Sequence, residues 1–149
     1  MIDQIIASML GTLAFVILFH APRKEYIFCS LNGALGWMAY FLFNRWGAGV
    51  TFASLGATLI LTLAARILSA MRRGPVTLYL VPGIFALVPG AGIYYTAYYL
   101  LMNDLGQSTA KGVETFKVAG AIVLGIVFGF ALPQSWFNRL GRIKKHVGK

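Results

Sequence analysis

The stretch Gly74-Pro75-Val76-Thr77-Leu78-Tyr79-Leu80-Val81-Pro82-Gly83-Ile84-Phe85-Ala86-Leu87-Val88-Pro89-Gly90-Ala91-Gly92-Ile93-Tyr94-Tyr95-Thr96-Ala97-Tyr98-Tyr99-Leu100-Leu101-Met102-Asn103 is apolar enough to enter a bilayer, yet it carries two Pro-Gly pairs seven residues apart. Proline removes a backbone donor and glycine loosens a helix, and hydrocarbon offers no water to the carbonyls so freed. Breaks of this kind persist at membrane depth where they line a cavity or pack within protein, and in many transporters they form the substrate site. One straight helix over Thr77–Met102 would run about 39 Å, against roughly 30 Å of hydrocarbon. Measured from the cytoplasmic side, Pro82 falls about 10 Å and Pro89 about 21 Å along the path, so the two pairs bracket the midplane. A half-helix starting after Gly90 would aim its N–H groups at the membrane centre, a dipole end suited to a carboxylate. The competing reading is a kinked helix whose freed carbonyls are covered by neighbours.

Outward from that stretch, 58% of the 149 residues are hydrophobic and 11% are charged, well under the quarter usual for a soluble domain. The chain therefore reads as an integral membrane protein. Its net charge of +9 comes mostly from short basic clusters beside apolar runs, as the positive-inside rule requires, so nucleic acid is not an expected partner. The single Cys29 cannot form an internal disulfide. There is no CxxC, HExxH or P-loop, and no nucleophile–base pair; no metal, cofactor or enzymatic activity is expected.

The pattern predicts an all-α, polytopic helical membrane protein forming a single transmembrane domain over residues 1–149. About five transmembrane helices are expected, over 2–20, 26–43, 50–71, 76–102 and 118–133, the fourth broken at both Pro-Gly pairs. Asp3 leads the first span and Arg23 and Lys24 follow it, an arrangement wrong for a cleaved signal peptide. An N-outside, C-inside orientation places ten basic residues inside, counting Arg66 and a basic cytoplasmic tail over 134–149. Arg45, Lys111 and Lys117 remain outside. The alternative for the fourth segment is a re-entrant hairpin, which the charges disfavour. The polar stretch 103–117, with Thr109, Val113 and Phe116 at helical spacing, suggests a short interfacial helix.

Within this layout the candidate substrate pathway comprises Pro82, Gly83, Pro89 and Gly90 as unwound backbone, with Tyr94 and Tyr95 as contacts. Tyr98 and Tyr99 lie nearer the outer end, where aromatic-belt membership is expected. Ser54, Thr58, Thr62 and Arg66 recur every four residues and share one side of the third span. They would line a hydrated path, unless the hydroxyls bond their own helix and Arg66 snorkels to the inner surface. Ala121, Gly125 and Gly129 form a small-xxx-small ladder for close helix packing. All four acids, Asp3, Glu25, Asp104 and Glu114, fall in loops or at span ends on this layout. A proton-coupled carrier needs a titratable group in its path, so either Asp104 is drawn inward or the coupling residue belongs to another chain.

Three runs carry a family resemblance: Ala14–Lys24, Gly33–Tyr40 and Pro75–Tyr94, the last containing both Pro-Gly pairs. They resemble the threonine/serine exporter (ThrE) family, and within it the short YjjB-like membrane subunit that corresponds to the C-terminal half of a full-length exporter. The resemblance implies a subunit of a bacterial inner-membrane secondary exporter for small amino acids or dicarboxylates. It further implies a separate YjjP-like partner membrane subunit with a cytosolic domain, and leaves open association of identical copies. One departure is Ala86, where the family often has proline. The alternative function is a non-transporting membrane scaffold or assembly subunit acting through the glycine ladder.

Overall fold

The computed structural model describes residues 2–133, so the expected basic tail over 134–149 lies outside the described residues. Six α-helices follow one another: α1 (Ile2–Leu18), α2 (Tyr26–Arg45), α3 (Gly49–Arg72), α4 (Val76–Phe85), α5 (Gly90–Leu101) and α6 (Leu105–Ala131). A 3-10 turn at Arg23–Glu25 precedes α2, and no strand occurs among the described residues. Three helices, α2, α3 and α6, are long and apolar enough to cross a bilayer; α4 and α5 pass together as a fourth, bent by 44° at the break between them. Helix α1 has 17 residues, about 25 Å of rise and short of the usual span.

Local chemistry accounts for the boundaries. Pro75 and Pro89 are the N-caps of α4 and α5, where a missing N–H does no harm. Asp104 caps α6, its side chain accepting from the Gln107 amide at 3.0 Å. This acid is therefore engaged at a helix start and is not drawn into the helix bundle. His20, Arg73 and Asn103 take left-handed conformations just past the ends of α1, α3 and α5, turning the chain out of each helix.

Two expectations are corrected. The stretch 103–117 is not a separate interfacial helix: α6 runs unbroken through it for 27 residues, about 40 Å. The Asp104 cap starts the helix, and no proline interrupts it before Ala131, so polar composition up to Lys117 changes the helix's surroundings and not its backbone. The first Pro-Gly pair is likewise not a break. Helix α4 continues through Pro82-Gly83 because neighbours supply donors to the local carbonyls. Pro82 cannot donate to Leu78, and the Cys29 thiol donates to that carbonyl instead, at 3.4 Å. One residue on, Asn32 Nδ2 donates to the Tyr79 carbonyl at 3.0 Å.

The bundle is organised on α2 and α3. Helix α2 packs on α1, α3 and α4, while α3 packs on α2, α4 and α6. Helix α6 comes against the backbone of α3 itself. A Cβ at Gly125 would lie 2.8 Å from the Leu55 carbonyl oxygen and 2.9 Å from Thr58 Cβ; at Gly129 it would lie 2.5 Å from Thr62 Cγ2. Beyond that contact Arg66, buried in the interior, donates from Nη1 to the Gly129 carbonyl at 2.6 Å. The helical donor for that carbonyl would be residue 133, which is proline. Arg66 thus supplies a hydrogen bond that α6 cannot make for itself, and its charge sits favourably at a helix C-terminus.

A second polar tie joins α2, α3 and α4 at one end of the bundle. Arg72 grips Glu25 through two nitrogens, Nη2 to Oε1 at 2.8 Å and Nε to Oε2 at 3.0 Å. Tyr79 donates its hydroxyl to the same carboxylate at 3.0 Å, and the Arg72 guanidinium lies 4.2 Å from the Phe28 ring centre. Among the described helices α5 packs only on α6, and it buries none of its residues.

Gly125→Ala is expected to destabilise the detergent-solubilised protein by about 1–3 kcal/mol through overpacking. Gly120→Ala on the same helix, with nothing within 4 Å of the added carbon, should leave the thermal midpoint unchanged or slightly raised. Cys29→Ala should cost about 1 kcal/mol in the native background. Alongside Pro82→Ala, which returns a helical donor to Leu78, the cost should be close to nothing, as a double-mutant cycle of thermal midpoints would measure.

Candidate functional site

The second Pro-Gly pair does break the helix. Pro89 has no N–H for the Phe85 carbonyl, and among the described residues no side chain takes the part that Cys29 plays at Leu78. The backbone leaves the helix through tight turns: the Leu87 and Val88 amides both bond the Ile84 carbonyl, at 2.7 and 3.1 Å, and the Gly90 amide bonds Val88 at 2.8 Å. Helix α5 then starts afresh at 44° to α4. Its Ala91 and Gly92 amides carry no hydrogen bond among the described residues, as the first turn of a helix leaves them.

These amides open on a cleft of about 380 Å³ bounded by four helices and the broken segment. Trp37 and Tyr40 of α2 and Ser54 of α3 form one wall; Tyr95 of α5 and Lys111, Glu114 and Thr115 of α6 form the other. The Trp37 and Tyr40 rings lie 5.3 Å apart, and the indole Nε1 is buried without a hydrogen-bond partner among the described residues. Lys111 Nζ and Glu114 Oε2 pair at 2.9 Å, one turn apart on α6. The cleft thus offers helix-terminal amides, hydroxyls, one cation and one anion inside an otherwise apolar bundle. That set suits a small molecule bearing a carboxylate.

A larger cavity, about 760 Å³, opens between α4, α5 and α6, but its wall contains no charged side chain. It can hold an acyl chain or an apolar side chain and has nothing to orient a carboxylate. Among the described residues, no three His, Cys, Asp or Glu side chains gather as a metal site would require.

The expected site residues separate in space. Pro89, Gly90, Tyr95 and Ser54 line the cleft. Tyr94 does not line the cleft and is 63% exposed; its ring stacks with Tyr98 at 6.2 Å and meets Tyr95 edge-on at 5.4 Å, while Tyr95 stacks with Tyr99 at 6.4 Å, so the four rings form one cluster of which only Tyr95 reaches the cleft wall. Pro82 and Gly83 are buried in α4 away from the cleft wall. Ser54, Thr58 and Thr62 each donate to the carbonyl four residues back, at 2.8, 2.7 and 2.7 Å. Thr58 and Thr62 lie where Gly125 and Gly129 come closest, and Ala121 is buried on the same α6 face. Arg66 turns inward to α6 and does not snorkel.

Trp37, Tyr40, Lys111 and Glu114 were not among the expected site residues. The first two resemble belt aromatics in sequence, and the acid and base fall in the polar stretch that suggested a short interfacial helix until α6 is seen to be continuous. Three-residue spacing within each pair was the signal that could have placed them on common helix faces.

Compared with known proteins, residues 4–131 match the family model described as Threonine/Serine exporter, ThrE. No solved structure matches the chain.

Gly90→Ala isolates the cleft from the fold, because a Cβ there meets nothing within 4 Å. The variant should keep the native thermal midpoint while lowering transport several-fold, about 3–10-fold for a group placed against a carboxylate. Gly92→Ala, whose Cβ would run into the Thr115 side chain, should lose both.

Proposed function

The chain belongs to the threonine/serine exporter family, ThrE, and on that premise we propose that it is one subunit of a bacterial inner-membrane secondary exporter, working with a separate membrane subunit on small amino acids or dicarboxylates. An exporter-type transporter moves its substrate without chemical conversion, and the apolar helices make this one a multi-pass membrane protein. The observation that carries the proposal is the cleft at Pro89-Gly90, where unbonded helix-terminal amides face an ion pair and tyrosine hydroxyls inside an apolar bundle. Broken helices of secondary transporters present substrate sites in this manner. We assign Pro89, Gly90, Tyr95 and Ser54 to the substrate path, joined by Trp37 and Tyr40.

The proposed topology is five crossings, N-outside and C-inside, with α4 and α5 forming the fourth. Arg23, Lys24, Arg72 and Arg73 would then share the inner face. Helix α1 would cross by drawing in the bilayer locally, as short spans do. A separate subunit is supported by α5, which among the described helices packs only on α6 and leaves Tyr94, Tyr98 and Leu101 exposed. A YjjP-like partner with a cytosolic domain would complete the pathway. The scaffold alternative depends on a glycine face free to bind another protein, and α3 occupies that face within the chain.

Efflux of radiolabelled threonine, serine and succinate from cells expressing this chain, its partner, both or neither tests the proposal. Efflux is expected only with both. Full efflux without the partner would refute the half-transporter, and none in any combination would refute the exporter.

A further inference from the structure

Among the described residues Lys111 and Glu114 are the only charged side chains in the wall of the cleft, and they pair at 2.9 Å. Nothing in the fold demands them there. A surface pair three residues apart on a helix adds little stability, and both side chains remain about half accessible, 45% and 52%. Their place is unusual for a pair of that kind, because they line a cleft that also presents the first-turn amides of α5.

Resting on the exporter reading, we propose that Lys111 and Glu114 form a substrate clamp that takes the two ends of an α-amino acid and rejects a dicarboxylate. An incoming zwitterion exchanges one neutral pair for two: its carboxylate takes Lys111, with the Ala91 and Gly92 amides as further donors, and its ammonium takes Glu114. The cleft stays neutral before and after. Among the described residues the other titratable side chains facing it are Tyr40 from α2 and Tyr95 from α5, while α3 contributes the Ser54 hydroxyl. A dicarboxylate finds one cation for two negative charges, and its second carboxylate meets Glu114. Glu114 is therefore the specificity-determining residue. The selection comes from repulsion as much as attraction.

The experiment is competitive efflux of threonine and succinate from cells expressing the complete two-subunit transporter, with copurification of the subunits as the assembly control. The native transporter should favour threonine by at least about tenfold. The double substitution K111E/E114K keeps an acid and a base three residues apart and so satisfies a merely structural role. It should assemble normally yet lose amino-acid efflux about tenfold or more, because its carboxylate now occupies the substrate's carboxylate position. Glu114→Gln, which preserves shape, should raise the KM for threonine and lower the threonine-to-succinate ratio about tenfold. Native efflux favouring succinate, a charge-exchanged transporter with the native KM and ratio, or an unchanged ratio in Glu114→Gln would each overturn the clamp while leaving the exporter in place. A native complex that exports neither compound would overturn the exporter and the clamp together.

Discussion

The close approach of α6 to α3 is the constraint on which the rest of the structure depends. With glycine at 125 and 129, the α6 backbone comes near enough that a Cβ at position 125 would lie 2.8 Å from a carbonyl oxygen of α3. Dispersion over such a contact replaces the hydrophobic drive that is missing between helices in lipid. The consequences extend along α6 in both directions. At one end Arg66 reaches the Gly129 carbonyl and supplies the donor that Pro133 lacks. At the other, α6 holds Lys111, Glu114 and Thr115 opposite the α2–α3 wall and carries α5 with it. The Ser108 hydroxyl fastens that hairpin to the Thr96 carbonyl at 2.9 Å.

Two prolines of identical chemistry meet different fates because of their neighbours. Pro82 frees a carbonyl beside α2, where Cys29 and Asn32 present donors, and the helix survives. Pro89 frees one that no donor among the described residues meets, and the helix ends. A broken helix in an apolar setting is unfavourable unless the released groups face polar surroundings, and the cleft provides these through Ser54, Tyr40 and the ion pair. Transport is proposed to use the amides that this failure leaves open. The tie of Arg72, Glu25 and Tyr79 at the far end of α4 keeps that helix seated on α2 and α3 while its other end is free to break.

Much of the fold was legible in the sequence. The second and third spans were expected over 26–43 and 50–71, and the helices run Tyr26–Arg45 and Gly49–Arg72. Apolar runs bounded by turn residues and basic clusters need no tertiary knowledge. The resemblance carried by the Pro-Gly segment agrees with the family match over residues 4–131. The site was only half legible. Pro89, Gly90 and Tyr95 lie together because they are close in sequence and share the break. Trp37, Tyr40, Lys111 and Glu114 reach the same cleft from two other helices, and no local pattern states which helix faces meet. The four-residue ladder of hydroxyls on α3 was legible as a stripe, but the stripe alone did not say that its lower part faces a glycine ladder.

By itself the sequence determined that this is an all-helical membrane chain, roughly where its helices begin and end, and the family to which it belongs. The first two follow from composition, hydrophobic run length and backbone punctuation, and the family from the resemblance carried by the runs around the Pro-Gly pairs, each a property of short segments. Tertiary structure alone decided which Pro-Gly pair breaks, that α6 continues through a polar stretch, and that a lysine and a glutamate of ordinary appearance face the broken helix. Each of these turns on whether a donor, an acceptor or a small residue from a distant segment stands within a few ångströms, and that is a fact about packing.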